Sequence, residues 1–365
     1  MSQAFQLHIL NECYRTEDIR CWNEIHSDPY IYDVLMYCKK WIIGQEVFNL
    51  KTSGSTGQPK IIQIQRNQIE TSAKASLDFF KLTSGDVVCC PISIHVIGGQ
   101  MMLYRSVIGG LQLHIIPPSK TLAQLNTTIQ YAFMPITALQ LFELIHENNP
   151  NKIKTINTLR HLLIGGSSVG DALLTHIKNT LHCNVWHSFG MTETVSHIAM
   201  KQLHPISEQT YTTLDGIEID IDTRSCLKIK GAVTQSVWIQ TNDCIHLIDE
   251  RHFTFLGRAD FTVNSGGVKI QVEPIEKIIG QLFEELNVSI PFFLAGMKDS
   301  ALGEKLILLM DGDEIDPTKQ EALLQRLNMM LPKYHVPKNI FVVGFEYTSS
   351  GKINRKETYK KIERS

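Results

Sequence analysis

The chain has 365 residues, of which 43% are hydrophobic and 20% charged, as in ordinary globular proteins, and this length favours two domains. Its 35 basic and 37 acidic residues nearly balance, which excludes a general electrostatic attraction to nucleic acid or anionic membranes. No signal peptide or membrane-spanning apolar run is recognisable, and the eight cysteines form no CxxC pair, so we expect a cytoplasmic protein with reduced thiols.

The first 46 residues, rich in aromatic side chains, are predicted as mixed helix. From residue 47, short apolar runs bounded by Gly and Pro alternate with amphipathic segments. The runs predict buried strands at 87–93, 111–118, 131–135, 161–168 and 184–190, and the segments predict helices near 67–81, 96–108, 137–147 and 169–181. This alternation is typical of an α/β fold with mostly parallel strands flanked by helices, in which ligands bind where strands end.

The pattern changes after residue 215. Short alternating strands predict an antiparallel, β-rich part at about 215–259. A smaller α+β unit follows, with a helix near 317–330. The sequence therefore predicts a large N-terminal domain over 1–259, a small mobile C-terminal domain over 260–365, and a hinge near Asp260.

A loop rich in Ser, Thr and Gly, "TSGSTGQPK", runs from Thr52 to Lys60 between two apolar runs. It differs from the GxxxxGK[ST] phosphate loop because Pro59 stands where that motif needs Gly. Its chemistry still suits a phosphate: hydroxyls and glycine-freed backbone N–H groups donate hydrogen bonds, and the lysine adds a positive charge. Either a surface turn or a phosphate site is compatible with the loop alone.

The loop resembles the [ST]SG[ST][ST]GxPK motif of the adenylate-forming superfamily, which includes acyl-CoA synthetases, luciferases and nonribosomal-peptide adenylation domains. In that superfamily the loop closes over the β- and γ-phosphates of ATP. The resemblance therefore implies ATP contacts from Thr52, Ser53, Gly54, Ser55, Thr56, Gly57 and Lys60.

A second match is "HSFGMTET" at 187–194, which is similar to the superfamily's YGxTE. It implies that Phe189 lies beside adenine, Thr192 holds the α-phosphate and Glu193 binds Mg²⁺. Phe189 lacks the hydroxyl of the usual tyrosine. The other nucleotide contacts implied at these strand ends are Gly165, Gly166, Ser188, Gly190 and Met191.

Three further matches follow in superfamily order. "TND…GRADF" (241–261) resembles TGD…GRxDD and implies that Asp243 and Arg258 hold the ribose, with the hinge at Asp260. "NSGGVKIQVEPIE" (264–276) resembles a turn that meets the pantetheine of CoA. "YTSSGKINRKE" (347–357) resembles the C-terminal motif whose lysine, here Lys352, reaches the reacting carboxylate and α-phosphate. The residues implied on the CoA side are Gly266, Gly267 and Lys269.

The resemblance implies an enzyme that uses ATP, Mg²⁺ and CoA to activate a carboxylic acid, with Lys352, Thr192 and Glu193 as catalytic residues. The continuation "TETVSH" resembles the members that act on o-succinylbenzoate, an aryl keto acid with two carboxylates, in menaquinone biosynthesis. The lining implied for the acid pocket is His95, Gly98, Gly99, Ser167, Val195 and His197. Arg105 is a further candidate for the second carboxylate, whereas His95 is equally compatible with a core or helix-start histidine.

Alternatives remain open. Another aryl or medium-chain acyl-CoA ligase would carry the same motifs, and so would an adenylation domain, although no "LGGxS" carrier serine is present. A non-catalytic nucleotide-binding paralogue is the alternative of another class, and we would expect it to lack Glu193 or Lys352. No nucleic-acid or membrane partner is expected, and a homodimer is implied by the superfamily alone.

Overall fold

The computed structural model describes residues 5–51, 61–286, 288, 290–300, 302–312, 317–347 and 353–363. Its strands are β1 (Gln6–Ile9), β2 (Glu12–Arg15), β3 (Val47–Lys51), β4 (Ile61–Gln65), β5 (Val87–Cys90), β6 (Gln112–Ile115), β7 (Phe133–Thr137), β8 (His161–Gly165), β9 (Asn184–Met191), β10 (Ser196–His204), β11 (Tyr211–Thr213), β12 (Ile217–Ile221), β13 (Cys226–Gly231), β14 (Ile239–Leu247), β15 (His252–Arg258), β16 (Val263–Ser265), β17 (Val268–Ile270), β18 (Phe292–Asp299), β19 (Gly303–Met310) and β20 (Asn339–Val342).

The helices alternate with these strands through most of the chain. They are α1 (Thr16–Cys21), α2 (Pro29–Ile42), α3 (Arg66–Phe79), α4 (Ile97–Gly109), α5 (Ala138–Glu147), α6 (Pro150–Asn157), α7 (Asp171–Thr180), α8 (Val272–Glu285), α9 (Pro317–Met330) and α10 (Arg355–Glu363). Within the described ranges, no helix is both long and apolar enough to cross a bilayer.

Thirteen strands form one mixed sheet in the order β12-β13-β14-β15-β11-β10-β9-β8-β7-β5-β6-β1-β2. From β1 to β9 in that order the neighbours are parallel, and from β9 to β12 they are antiparallel. The predicted α/β architecture is therefore confirmed, and its β-rich part continues the same sheet rather than forming a second one.

Successive residues of the parallel strands point to opposite faces, as the period of two of a β-strand requires. Phe133 joins a core that α2, α3 and α4 cover, whereas its neighbour Met134 joins a second core that α5, α6 and α7 cover. Both faces are covered by helices, and the central strands β5 and β7 are accordingly almost wholly apolar, whereas β1, β6 and β9 also carry polar residues.

The residues after β15 build a smaller unit in which β16–β20 form a five-stranded sheet packed against α8, α9 and α10. A short 3₁₀ turn, Ala259–Phe261, joins the two sheets. The small unit contacts the large one through α8, where Lys277 Nζ lies 3.1 Å from Asp171 Oδ1 at the start of α7 and Gln281 also donates to Asp171. The domain boundary near Asp260 stays a prediction.

The prediction for the first 46 residues was wrong in part. Residues 16–21 and 29–42 are helical, but β1 is a strand of the large sheet, parallel to β6 and antiparallel to β2. Leu7 and Ile9 alternate with His8 and are fully buried, so the period-two pattern is present over only four residues. A pattern over four residues is a weak strand signal, and the helix prediction followed from the aromatic residues of the α2 segment instead.

Candidate functional site

The predicted site includes the loop expected to hold the terminal phosphates and the C-terminal lysine. Thr52–Lys60 and Lys352 both lie outside the described residues. The loop's flanks are described: β3 and β4 pair as antiparallel strands, with Lys51 opposite Ile61. The loop thus begins and ends at one end of a two-stranded hairpin.

Gly165 ends β8, and Gly166 and Ser167 follow it; Ser188 lies beside them on β9, where its Oγ donates to the Ile164 carbonyl at 3.2 Å. A Cβ at Gly165 would lie 3.0 Å from Ser188 Oγ, so the two predicted nucleotide contacts pack tightly. Gly166 has a φ of +85°, which favours glycine. The structure therefore brings the "GGS" turn and the β9 strand end together.

His187, on the buried face of β9, supports this turn. Its Nε2 lies 2.9 Å from the Ser167 carbonyl oxygen, and its Nδ1 lies 2.7 Å from the Tyr211 hydroxyl. A carbonyl only accepts, so Nε2 carries the proton and Nδ1 accepts from Tyr211. Burial lowers the pKa of His187 to about 4, although the bond to Ser167 opposes this shift. At neutral pH the ring is therefore uncharged.

Phe189 and Gly190 lie near the C-terminal end of β9. The Phe189 ring lies 5.2 Å from that of Phe253 and 5.4 Å from that of Tyr211, centroid to centroid, so aromatic side chains fix its orientation. At Gly190 a Cβ would come within 2.2 Å of the Ser196 carbonyl oxygen. Only glycine permits β9 and β10 to approach so closely here.

A tight turn after β9 carries Thr192 and Glu193. Thr194 Oγ1, fully buried, accepts from the Met191 amide at 3.1 Å and lies 2.9 Å from the Ser196 carbonyl. The Glu193 carboxylate borders a cavity of about 190 Å³ between β4, α3 and β14. It takes no hydrogen bond or ion pair within the part of the chain that the structure describes.

Val195 and Ser196, which follow this turn, have φ values of +53° and +91°. Positive φ is unfavourable for a β-branched residue, at about 1–3 kcal/mol for each such position. Ser72 of α3 donates to the Val195 carbonyl at 2.7 Å, which helps to hold this conformation. The turn that carries the predicted Mg²⁺ ligand is thus fixed from α3 as well as from its own residues.

Asp243 and Arg258 lie opposite each other on β14 and β15, with Arg258 Nη1 3.1 Å from Asp243 Oδ1. Arg258 Nη2 also contacts Asp260 Oδ2 at 2.6 Å. Burial raises the pKa of Asp243, even though the charge of Arg258 acts in the opposite direction. The predicted ribose pair is thus brought together, and its arginine is shared with the predicted hinge residue.

The remaining predicted residues fall into two groups. On the CoA side, Gly266 and Gly267 form the exposed turn between β16 and β17 with φ of +58° and +82°, and Lys269 is exposed on β17. Near the start of α4, His95 is exposed with its Nε2 3.7 Å from Asp33 Oδ2, while Gly98 and Gly99 pack against the 92–93 turn. These assignments, like those of the nucleotide contacts, stay predictions.

Arg105, on α4, is almost fully buried, together with Val195 and His197. Its Nη2 donates to Ser196 Oγ at 3.1 Å, but its Nε has no partner. Burial lowers the pKa of Arg105 to about 10, so the side chain remains a cation at neutral pH. Among the described residues no carboxylate pairs with it.

The motif-based predictions missed several residues that hold the site: Ser72, Ser76, Thr194 and Tyr211. One signal was available for the first two, because Ser72 and Ser76 continue a four-residue spacing of polar residues from Gln68, on the face of α3 that also carries Ile69, Ala73 and Leu77. No group of three His, Cys, Asp or Glu side chains within the described ranges is arranged to hold a metal ion. A metal here would need ligands from a substrate as well.

The AMP-binding enzyme family model matches residues 48–224. An acyl-CoA synthetase (AMP-forming)/AMP-acid ligase II-like protein from Dyadobacter fermentans is 34% identical, with 93% of this chain and 96% of that one covered and a TM-score of 0.61. The 2-succinylbenzoate–CoA ligase of Listeria monocytogenes is 28% identical over 86% of this chain and 70% of its own length.

The o-succinylbenzoate coenzyme A synthetase from Bacillus subtilis, solved in complex with ATP and magnesium ion, has a TM-score of 0.70 at 21% identity. The match covers 85% of this chain and 69% of that one. At this identity the likeness concerns the fold.

Proposed function

This chain belongs to the AMP-binding enzyme family, as an AMP-forming acid–thiol ligase, and from that premise we propose that it joins o-succinylbenzoate to CoA. The first half-reaction forms an acyl-adenylate and releases pyrophosphate from ATP. The second forms o-succinylbenzoyl-CoA and releases AMP. ATP and CoA are co-substrates in this proposal, and Mg²⁺ is the cofactor.

Activation is needed because a carboxylate does not react with a thiol while its leaving group would be oxide or hydroxide. Attack of the carboxylate on the α-phosphorus converts that oxygen into part of a good leaving group, AMP. Negative charge grows at the α-phosphate in this step, so fixed donors and cations around it lower the barrier. We assign this role to Thr192 and Lys352.

We assign the ribose to Asp243 and Arg258, the adenine face to Phe189, and the terminal phosphates to the 52–60 loop. The unpartnered carboxylate of Glu193 fits a Mg²⁺ ligand, since this ion prefers carboxylate oxygens and retains phosphate and water ligands. Bound there, the ion would offset phosphate charge. For the second half-reaction the small domain would rotate about Asp260, which lies in the turn between the two sheets.

The burial of Arg105 without a carboxylate partner is the observation that favours an acid with two carboxylates. A buried cation without a carboxylate partner costs free energy unless another anion compensates it. Arg105 contacts Ser196, between two predicted pocket residues, Val195 and His197. An acid with a second carboxylate supplies the missing anion, whereas a simple medium-chain or aryl acid does not. The relatives called 2-succinylbenzoate–CoA ligase favour the same substrate.

Acid-dependent exchange of pyrophosphate into ATP tests this proposal. We expect exchange with o-succinylbenzoate, and at least about 10-fold weaker kcat/KM with benzoate, 4-phenylbutyrate and octanoate. Arg105→Met, which keeps an unbranched apolar stem but removes the guanidinium, should raise the KM for o-succinylbenzoate while leaving the KM for ATP unchanged. Exchange that prefers a monocarboxylic acid would favour the general acyl-CoA ligase, and no exchange with any acid would favour a non-catalytic paralogue.

A further inference from the structure

His197 lies at the centre of a buried chain of hydrogen bonds that connects α4 to α3 through β10. Its Nδ1 lies 3.3 Å from Ser196 Oγ, and its Nε2 lies 2.7 Å from Ser76 Oγ. Ser196 in turn contacts Arg105, and Ser76 contacts the Ser72 carbonyl at 2.9 Å. Both ring nitrogens of His197 therefore already have protein partners.

One set of directions gives every proton in this chain an acceptor. Arg105 can only donate, so Ser196 Oγ accepts from it, and His197 Nδ1 is then the acceptor for the Ser196 hydroxyl proton. Ser76 gives its proton to the Ser72 carbonyl, which can only accept, and accepts from His197 Nε2. This set of directions has a neutral ring with its proton on Nε2, whereas a proton on Nδ1 would leave the Ser196 hydroxyl proton without an acceptor among the described residues.

Charge and burial agree with a neutral ring. Burial, and secondarily the charge of Arg105, hold the pKa of His197 well below 6.5. A protonated ring would also make Nδ1 a donor, and the Ser196 hydroxyl proton would then lose its acceptor in the chain. The neutral ring instead fixes the Ser196 hydroxyl so that its lone pairs face the guanidinium.

We propose that His197 is a positioning residue for acid specificity, which orients the Arg105 guanidinium through Ser196 so that it meets the non-reacting carboxylate of the substrate. This inference rests on the proposed function, because it takes Arg105 as the partner of that carboxylate. His197 itself does not touch the substrate in this role. Its Nδ1 is the functional atom, whereas its Nε2 anchors the ring to α3.

Two substitutions separate these atoms. In His197→Asn the side-chain amide takes the place of Nδ1 and retains a partner for Ser196, whereas in His197→Gln it takes the place of Nε2 and retains a partner for Ser76. Each variant loses one buried hydrogen bond, so thermal unfolding should report similar losses of stability. We expect the KM for o-succinylbenzoate to be about 10-fold higher in His197→Gln than in His197→Asn, with an unchanged KM for ATP in both.

Equal KM values for the acid in the two variants, or a parallel rise in the KM for ATP, would refute the positioning role while leaving the proposed function intact. If His197→Gln does not fold, Ser196→Ala replaces it, with the same expected rise. If the wild-type protein activates a different acid, the proposed substrate is wrong and the same comparison is made with that acid.

A measurement independent of activity completes the test. Nitrogen-15 NMR of the ring, assigned by its loss in His197→Asn, should show the proton on Nε2 at pH 7. A proton on Nδ1, or a charged ring, would overturn the inference whatever the enzyme's substrate is. If no acid is activated at all, the proposed function fails and the tautomer alone decides whether the hydrogen-bond chain exists as described.

Discussion

The replacement of Asp243 by Asn is the sharpest test of the ribose assignment, since it removes one charge and changes the shape of the side chain little. Asn keeps one acceptor oxygen but loses the charge and the second acceptor. A hydrogen bond to a charged acceptor contributes about 1.5–3 kcal/mol, which corresponds to a KM for ATP that rises about 10- to 150-fold. The value of kcat at saturating ATP should change much less.

The structure also predicts that Asp243→Asn changes the free energy of unfolding little. Burial raises the pKa of Asp243, so the folded state already disfavours its charge, and a neutral side chain relieves that cost above the carboxyl's ordinary pKa. Arg258 would keep its ion pair with Asp260 at 2.6 Å. We therefore expect the free energy of unfolding of Asp243→Asn to lie within about 1 kcal/mol of wild type.

The assay is pyrophosphate exchange at saturating acid with ATP varied, together with urea unfolding of each protein. Asp215→Asn is the matched control, because Asp215 also pairs with an arginine, Arg251 at 2.8 Å, but is exposed and is not itself a predicted nucleotide contact. An unchanged KM for ATP in Asp243→Asn, or an equal rise in Asp215→Asn, would refute the assignment. A loss of several kcal/mol in the free energy of unfolding of Asp243→Asn would instead show that Asp243 has a structural role.

Three further outcomes are expected. Lys352→Ala should slow adenylation about 100-fold or more yet leave thioester formation from supplied acyl-adenylate nearly intact, so equal losses in both half-reactions would contradict the two-conformation mechanism. His187, whose pKa is about 4, should add about 3 kcal/mol of stability that is present above pH 6.5 and lost as the pH falls towards 4. Urea unfolding across this range should therefore show the difference in unfolding free energy between wild type and His187→Gln becoming smaller as the pH falls. Gly190→Ala should lose about 3 kcal/mol of unfolding free energy because its Cβ would meet backbone, whereas Gly344→Ala, with open space around it, should lose far less, and similar losses in both would refute the clash.

Much of the architecture could be predicted because it depends on local pattern. The alternation of apolar runs and amphipathic segments identified the α/β fold, and the predicted helix near 317–330 coincides with α9. The family predicted from the quoted motifs is confirmed as well. Motif residues are recognisable because their spacing along the chain is short and fixed by loop chemistry.

The supporting contacts could not be predicted in this way. Ser76 and His197 are 121 positions apart, and only the packing of α3 against β10 brings them together. Arg105 meets Ser196 for the same kind of reason, since a helix and a turn 91 positions later share one core. Such pairs leave no local pattern, although a buried polar residue on an apolar helix face is a hint that a partner exists.

The sharing of Arg258 between two aspartates has a consequence for communication within the protein. Asp243 belongs to the large sheet, whereas Asp260 lies in the short turn through which the chain passes to the small one. If ribose hydroxyls bind Asp243 as proposed, they weaken its hold on the guanidinium and leave Arg258 more fully to Asp260. The turn between the two sheets would then be held more firmly when nucleotide is bound and less firmly after AMP leaves. Arg258 alone would couple nucleotide binding to the turn about which the small domain is proposed to rotate.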